Sequence, residues 1–195
     1  MTRTAAVLVA TALVAFTVSS PTVNAQKPGA WTTILDGTSM KGWDVVGNAN
    51  WSVADGAVQA SMGTGFLVTP ATYTDFELTA EFWVTDDANS GIFIRCSDPK
   101  TINAMNAYEV NIYDKRPDQS YRTGGIVDVA KPASVIMTGG KWNTMTISAK
   151  GPKMVVAINN MPMVNVENSL HAKGPIALQY GAGTVKFKNV KIRTL

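Results

Sequence analysis

The sequence is poor in the residues that build metal centres and disulfide frameworks, with one cysteine and one histidine in 195 residues. A lone cysteine, Cys96, cannot form an internal disulfide, and one histidine with one cysteine excludes a typical zinc site. Cys96 follows an apolar run, where a free cysteine usually behaves as a small buried hydrophobe. His171 is distant from Cys96 in sequence, which argues against a Cys–His nucleophile pair. Because no internal disulfide can form, the stability of the fold has to come from core packing.

Charge is also scarce: Asp, Glu, Lys and Arg make up 16% of the chain, and the formal net charge is +3. The longest cationic feature, residues 186–193, alternates with apolar residues and is typical of the wet side of a strand. The sequence lacks a concentrated basic patch, which argues against nucleic-acid binding.

No apolar run is long enough to span a bilayer. The run Ala5–Val18 precedes small residues at positions 23–25, which is the pattern of a secretory signal peptide. We expect residues 1–25 to be that peptide, residues 26–195 to form a single domain, and the protein to be periplasmic or secreted, without membrane insertion. A lipoprotein would need a cysteine at the cleavage point, and this sequence has none there.

Strand-like alternation dominates the remaining sequence, and helical periodicity is nearly absent. Residues 76–84 and 142–150 alternate apolar and polar side chains, and Asn159-Asn160 separates two further runs as in a tight hairpin. A change of phase near Asn189, within residues 185–192, predicts a β-bulge. Many short antiparallel strands in one domain predict an all-β, two-sheet antiparallel sandwich.

The sequence EVNIYD, residues 109–114, is the most informative segment. Alternation places Glu109, Asn111 and Tyr113 on one face of a strand. Asp114 would point the other way in a regular strand, but a bulge between Asn111 and Asp114 would return it to that face. These side chains predict a polar groove on one sheet.

The preceding strand-like segment, residues 89–95, places Arg95 on one face with Phe93 and Gly91. An arginine on a groove floor can fork onto a ligand oxygen, and a glycine lets a ligand approach the backbone closely. The structural alternative is that Arg95 pairs with Glu109 across neighbouring strands and only closes the sheet.

The spacing E-x-N-x-x-D resembles the E-x-D-x-x-E strand of laminarinase-like glycoside hydrolases. Here Asn111 stands in place of the middle acid and Asp114 in place of the last. Retaining double displacement needs two carboxylates about 5–5.5 Å apart, so this departure argues against that mechanism.

Other side chains have weaker claims on function. Trp83 has the best claim among the tryptophans, because it shares its strand face with Glu81, although tryptophans are mostly core residues. His171 is an acid/base candidate without a partner nearby in sequence. Asp86-Asp87 is compatible with a divalent cation such as calcium, but a solvated turn is the favoured interpretation.

Collinear motifs over residues 31–195 resemble the DUF1080, or 3-keto-disaccharide hydrolase, family. They are ILDGTSMKGW (34–43), NSGIFIR (89–95), YEVNIYD (108–114), TGGI (123–126), GPIALQ (174–179) and FKNVKIR (187–193). The resemblance implies a concanavalin A-like jelly roll, usually exported in bacteria, that acts on glycosides oxidised to a ketone at sugar C3. Many members carry a histidine soon after the GPIGLQ motif, whereas here Tyr180-Gly181 follows Gln179.

The chemistry of such a substrate favours elimination. A C3 ketone acidifies the C2 proton, and the C1 glycosidic oxygen lies β to the resulting carbanion, so elimination and hydration together give net hydrolysis. We assign Glu109 as the candidate base, Arg95 as the enolate-stabilising cation and Asp114 as the acid. An upstream sugar 3-dehydrogenase would have to supply the keto-sugar. The expected substrate contacts are Glu81, Trp83, Asn111, Tyr113, Lys131 and Gln179.

Two other functions are compatible with the sequence. A non-catalytic carbohydrate-binding module of the same fold is favoured by the missing histidine and the scarce acids. A structural or partner-binding sandwich would have no polar groove and a large exposed apolar patch.

Overall fold

The computed structural model describes residues 1–2 and 28–195, so the predicted signal peptide, apart from its first two residues, lies outside the described residues. The described chain forms thirteen strands and one short 3-10 helix, Gln119–Tyr121. The strands are β1 (Thr32–Leu35), β2 (Asp44–Gly47), β3 (Ser52–Ala54), β4 (Ala57–Ala60), β5 (Gly65–Val68), β6 (Phe76–Val84), β7 (Ser90–Ile94), β8 (Tyr108–Ile112), β9 (Trp142–Lys150), β10 (Lys153–Ile158), β11 (Met161–Glu167), β12 (Ala177–Tyr180) and β13 (Val185–Thr194).

The strands form two antiparallel sheets. The eight-stranded sheet has the order β11-β10-β9-β6-β13-β4-β3, with β1 also paired to β13, and the five-stranded sheet has the order β2-β5-β12-β7-β8. The last strand, β13, therefore lies in the middle of the larger sheet, between β6 and β4. The predicted two-sheet antiparallel sandwich is confirmed.

The core lies between the two sheets and follows from the alternation of each strand. In β6, Phe76, Leu78 and Phe82 are buried, while the side chains between them are half-buried on the outer face. They pack in one cluster with inward residues of the smaller sheet such as Ile92 and Val110. The outer face of β6 is therefore free for polar side chains, whereas β7 and β8 are buried on both faces.

Two local predictions about the larger sheet are also confirmed. Asn159 and Asn160 join β10 to β11 with φ of 51° and 64°, a left-handed geometry that asparagine tolerates. Asn189 has φ of 49°, and the register between β13 and β6 shifts between Lys188 and Lys191. This bulge lets the apolar residues on both sides of it face the core.

Strand β8, which contains Glu109, is held along both edges. It pairs with β7 in continuous register, from Ser90 opposite Ile112 to Ile94 opposite Tyr108. On its other edge, Val127 N donates to Glu109 O at 3.0 Å. Backbone bonds on both sides fix the direction in which the side chains of β8 point.

Among the described residues, no helical segment has the length and apolarity needed to cross a membrane.

Candidate functional site

The outer face of the five-stranded sheet carries a polar row, defined here as Gln179, Gly91, Glu109 and Asn111. Register places Glu109 opposite Phe93 and Asn111 opposite Gly91. A Cβ atom on Gly91 would lie 3.4 Å from Glu109 Cγ and 3.4 Å from Gln179 Oε1. Glu109 and Gln179 therefore both pack against the buried Gly91, where the lack of a side chain leaves room for both.

Glu109 is 9% exposed and its carboxyl titrates near neutrality. Burial is the main cause that raises the pKa of Glu109 to about 7. The positive charge of Arg116 lowers this pKa, and the negative charge of Asp128 raises it. A buried carboxyl with such a pKa can take and return a proton at neutral pH, which general acid–base catalysis requires.

The two amides of the polar row present unpartnered acceptors. Asn111 is fully buried, and its Nδ2 donates to Tyr121 O at 2.5 Å, which leaves Oδ1 without a partner. Gln179 Oε1 is likewise buried and unpartnered within the protein. Buried acceptors are normally satisfied. Of these two residues, Gln179 lines a neighbouring cleft, so its amide is the one within reach of a ligand.

A cleft of about 470 Å³ opens next to the polar row. Gln179 and Phe66 lie on its sheet side, and Lys100 and Thr101 line it from the loop between β7 and β8. Asn89 contributes a further polar wall. The cleft is large enough for a small ligand, and its lining combines the aromatic rings of Phe66 and Tyr180 with polar side chains.

Cys96 lies under the same loop and not in the cleft. It is 2% exposed, packed with Phe93 and Ala177, and burial raises the pKa of its thiol to about 12. The thiol therefore stays protonated, and the prediction of a small buried hydrophobe is confirmed.

The predicted placement of Arg95 on the groove floor is wrong. Strand β7 ends at Ile94, and Arg95 has φ of 54°, which breaks the alternation and turns its side chain away from Glu109. Its guanidinium is 1% exposed and donates to Thr74 O, Gly151 O and His171 O, and it pairs with Asp75 at 3.3 Å. Arg95 is thus bonded to the fold and does not face the polar row.

The predicted return of Asp114 to the face of Glu109 is also wrong. The strand ends at Ile112 without a bulge, and the buried carboxylate of Asp114 accepts hydrogen bonds from a neighbouring loop. Thr123 Oγ1 donates at 2.5 Å, Thr138 N at 2.5 Å, Thr138 Oγ1 at 3.0 Å and Gly139 N at 3.1 Å. Both oxygens are occupied, so Asp114 anchors that loop.

The remaining predicted contacts are divided between two surfaces. Glu81 and Trp83 are on β6, on the outer face of the eight-stranded sheet, and are not part of the polar row. Tyr113 is half-buried just beyond β8, and Lys131 is exposed on a later loop. Of the predicted contacts, Asn111 and Gln179 are the two that join Glu109 on one face.

Sequence reasoning missed Arg116 and Asp128, whose charges act on Glu109. Both are in the loops that follow β8, and Asp128 has φ of 60°. Neither residue belongs to an alternating strand, so no periodic signal marked them.

No group of three or more His, Cys, Asp or Glu side chains arranged to hold a metal ion occurs among residues 1–2 and 28–195. Asp86 and Asp87 are exposed, and Asp86 Oδ2 lies 3.8 Å from Lys115 Nζ. This geometry fits the favoured interpretation of a solvated turn.

Comparison with known proteins gives a family and a fold. The family model described as "3-keto-alpha-glucoside-1,2-lyase-like domain" matches residues 30–193. No curated protein matches the sequence.

Three solved structures show the fold. A protein of Parabacteroides distasonis, provisionally named a glycosyl hydrolase, superposes with a TM-score of 0.77 at 18% identity, covering 86% of this chain and 94% of that one. The carbohydrate binding module CBM66 from Bacillus subtilis gives 0.65 at 18%, covering 84% and 99%. A Bacillus subtilis protein with a galectin-like fold gives 0.66 at 13%, covering 86% and 97%. The predicted concanavalin A-like jelly roll is confirmed by this likeness.

Proposed function

This chain belongs to the family of 3-keto-alpha-glucoside-1,2-lyase-like domains, and on that premise we propose that it cleaves 3-keto-glycosides or 3-keto-disaccharides by elimination and hydration. The observation that carries the proposal is Glu109, a buried carboxyl with a pKa of about 7 that packs beside Gly91 and Gln179. Gln179 also lines the adjoining cleft, so its amide is placed to contact the hydroxyl groups of a sugar there.

The first step removes the C2 proton of the keto-sugar. The Glu109 carboxylate takes this proton, and the electron pair of the C–H bond moves into the ring to form an enolate with the negative charge on the C3 oxygen. Arg116 is the cation whose charge acts on Glu109, and it takes the stabilising role that the sequence assigned to Arg95.

The second step breaks the C1–O bond. The enolate electrons form a C1=C2 double bond conjugated with the C3 ketone, and the leaving oxygen accepts a proton. Protonated Glu109 can return the same proton, because a carboxyl with a pKa near 7 works as base and acid in turn. A single residue then suffices, which fits the engagement of Asp114 in loop anchoring and the missing histidine after Gln179.

Hydration completes the reaction. Water adds to C1, Glu109 takes its proton, and the same carboxyl delivers a proton to C2, which restores a 3-keto-sugar. The substrate itself has to come from an upstream sugar 3-dehydrogenase, since this mechanism does not oxidise C3. We place the reaction in the periplasm or outside the cell, on the strength of the signal-peptide pattern in residues 1–25.

The alternative is a lectin-like module of the same fold. It is favoured by the structural engagement of Arg95 and Asp114, which leaves one candidate acid/base group on the polar row. The likeness to the fold of a carbohydrate binding module is compatible with it. A purely structural role predicts no polar groove, and the five-stranded sheet has one.

The test compares wild-type protein with Glu109→Gln on a 3-keto-disaccharide and on its unoxidised parent, following the released sugars. We expect cleavage of the keto form alone and a loss of about 10²-fold or more in the variant, the range of a removed general base. The matched control is Glu167→Gln, an exposed acid on β11 at the edge of the other sheet, which should keep full turnover.

Full turnover by Glu109→Gln would overturn the base assignment. Binding of the keto form without cleavage by the wild type would favour the lectin-like alternative.

A further inference from the structure

The outer face of the eight-stranded sheet carries three tryptophans that the proposed reaction does not use. Trp83 on β6 and Trp142 on β9 are opposite each other in register. Trp31 lies on the same face beside Glu77, near the other end of β6. Trp142 is 39% exposed and Trp31 is 44% exposed. Large aromatic side chains gathered on one uncovered face indicate a contact surface.

The aromatic pair at one end of this face has basic partners. Lys186 Nζ lies 5.4 Å from the ring centroid of Trp83, and Lys188 Nζ lies 4.1 Å from that of Trp142. Both lysines come from β13, the neighbour of β6. These four residues form the first of two aromatic stations on this face, in which flat apolar rings have cations at their faces.

The second aromatic station, at the other end of β6, again places a tryptophan ring beside a cation, here next to a cleft. The guanidinium carbon of Arg193 lies 4.8 Å from the ring centroid of Trp31. A cleft of about 350 Å³ opens beside this ring, and the hydroxyl-bearing residues Thr79, Thr146 and Ser148 line it. An aromatic wall next to hydroxyl groups suits a polyhydroxyl ring.

The two stations are spaced for an elongated ligand. Trp83 follows Glu77 by six positions along β6, which corresponds to about 20 Å at the rise of a strand. Between the stations the outer face carries threonine side chains, including Thr79 and Thr144. A single small molecule would not reach both stations, whereas an oligosaccharide would.

The net positive charge of this face indicates that the oligosaccharide is acidic. Four basic side chains alternate along β13 against two acidic ones on β6, in a chain whose formal net charge is +3. The basic members are Lys186, Lys188, Lys191 and Arg193, and the acidic ones are Glu77 and Glu81. Lys188 Nζ lies 3.6 Å from Glu81 Oε2, and Arg193 Nε donates to Glu77 Oε2 at 2.6 Å. Each acid is therefore paired with a base, and Lys186 and Lys191 supply the excess positive charge of the face.

We propose that this tryptophan face, defined by Trp31, Trp83, Trp142 and the basic residues of β13, binds an acidic oligosaccharide such as a chain of uronate sugars. Sugar rings stack on the indoles, carboxylates meet Lys186 and Lys191, and hydroxyl groups donate to the glutamates. A phosphodiester backbone has no hydrogen-bond donors and would set its charge against the two glutamates, whereas every ring of a uronate chain carries hydroxyl donors, so the mixed face favours a carbohydrate over a nucleic acid. This site is on the sheet opposite Glu109 and does not depend on the reaction.

The test is titration calorimetry with a uronate tetrasaccharide and with its carboxyl-reduced counterpart. We expect Trp31→Ala/Trp142→Ala to weaken binding of the acidic form about ten-fold or more, as loss of aromatic anchors does. Lys186→Gln/Lys191→Gln should weaken it as well, and the reduced counterpart should bind the wild type less tightly. The exposed Met105→Ala serves as the control variant, and Glu109→Gln should bind like the wild type.

Several outcomes would overturn the proposal. Absence of binding, or equal binding of both tetrasaccharides, contradicts an acidic-glycan site. A loss in Glu109→Gln with none in the tryptophan variant assigns the binding to the polar row. Equal affinity for a single-stranded oligonucleotide, lost in the same variants, indicates a general anion surface. A dimer in sedimentation that the tryptophan variant abolishes assigns the face to a second copy of the chain.

Discussion

Glu109 shows how one residue can serve chemistry at the expense of stability. Its carboxyl is buried on the outer face of the five-stranded sheet, and Arg116 is the charged residue that favours its ionised form. Burial therefore disfavours the ionised form in the folded state, and the raised pKa measures that penalty. The same property that prepares Glu109 to exchange protons weakens the fold above neutral pH.

We expect Glu109→Gln to be more stable than the wild type at pH 8, although it loses activity. The folded pKa of about 7 lies above the usual value of 4.5 for this carboxyl, so the cost is absent below pH 4.5. Between pH 4.5 and 7 the unfolded chain ionises first, and the free energy of unfolding falls, by on the order of 3 kcal/mol in total. Glutamine removes this cost.

Urea midpoints at pH 5 and pH 8 check this expectation, with Glu167→Gln as the control. The stability difference between Glu109→Gln and the wild type should grow between the two pH values. An unchanged difference would show that Glu109 ionises freely in the folded protein.

At the scale of elements, the turn after β7 depends on Arg95. Its guanidinium makes hydrogen bonds to the loop before β6, to the turn between β9 and β10, and to the segment before β12. These segments come from both sheets, so one side chain ties the end of the sandwich together. The positive φ of Arg95 is the local cost of that arrangement.

We expect Arg95→Ala to lower the free energy of unfolding by about 3–5 kcal/mol, since it leaves Asp75 and several carbonyl groups without their buried partner. Arg95→Lys should recover only part of the loss, because lysine cannot supply the fork of donors. Chemical denaturation measures both, with Lys153→Ala, at an exposed cation on β10, as the control expected to cost about 0.5 kcal/mol or less. A loss no larger than that of the control would contradict the bridging role.

The contrast between β6 and Arg95 explains what the sequence can predict. Residues 76–84 and 142–150 alternate over nine positions, and the strands have those bounds, because burial of one face dictates the pattern. The direction of Arg95 is decided by carbonyl groups of Thr74, Gly151 and His171, which are distant in sequence. No local pattern encodes such partners.

The candidate site likewise contains residues that the sequence pattern can place and residues that it cannot. Glu109 and Asn111 could be placed on one face because they are two residues apart on a strand, and Gln179 joins them through strand pairing. Arg116 and Asp128 reach the site from loops, whose course depends on the tertiary fold. Asp114 was misplaced because its loop partner Thr138 lies far along the sequence.

For the molecule as a whole, the protonation of His171 links the pH to the stability of the sandwich. Its ring lies 4.9 Å from that of Tyr108 on β8, its carbonyl accepts from Arg95, and its Nε2 is buried without a partner. Burial lowers the pKa of His171 below its usual value of 6.5. Protonation would place a positive charge on a buried ring whose Nε2 has no partner to solvate it.

We expect acid to destabilise the fold through this residue. The unfolded chain binds the proton first as the pH falls through 6.5, so stability present above that pH is lost below it. His171→Gln should flatten the decline of the thermal midpoint between pH 7.5 and 5.5 relative to the wild type. Parallel declines in the two proteins would assign the acid sensitivity to carboxylates instead.

The central position of β13 has a consequence for biosynthesis. The strand is the last of the described chain, yet it separates β6 from β4, so both of these strands have an unpaired edge until it arrives. Three of the seven strand pairings of the larger sheet, those of β13 with β6, β4 and β1, await this segment, and they join the β6–β9–β10–β11 group to the β3–β4 hairpin. Until β13 pairs, the larger sheet is an open intermediate in two parts, with exposed strand edges that favour aggregation.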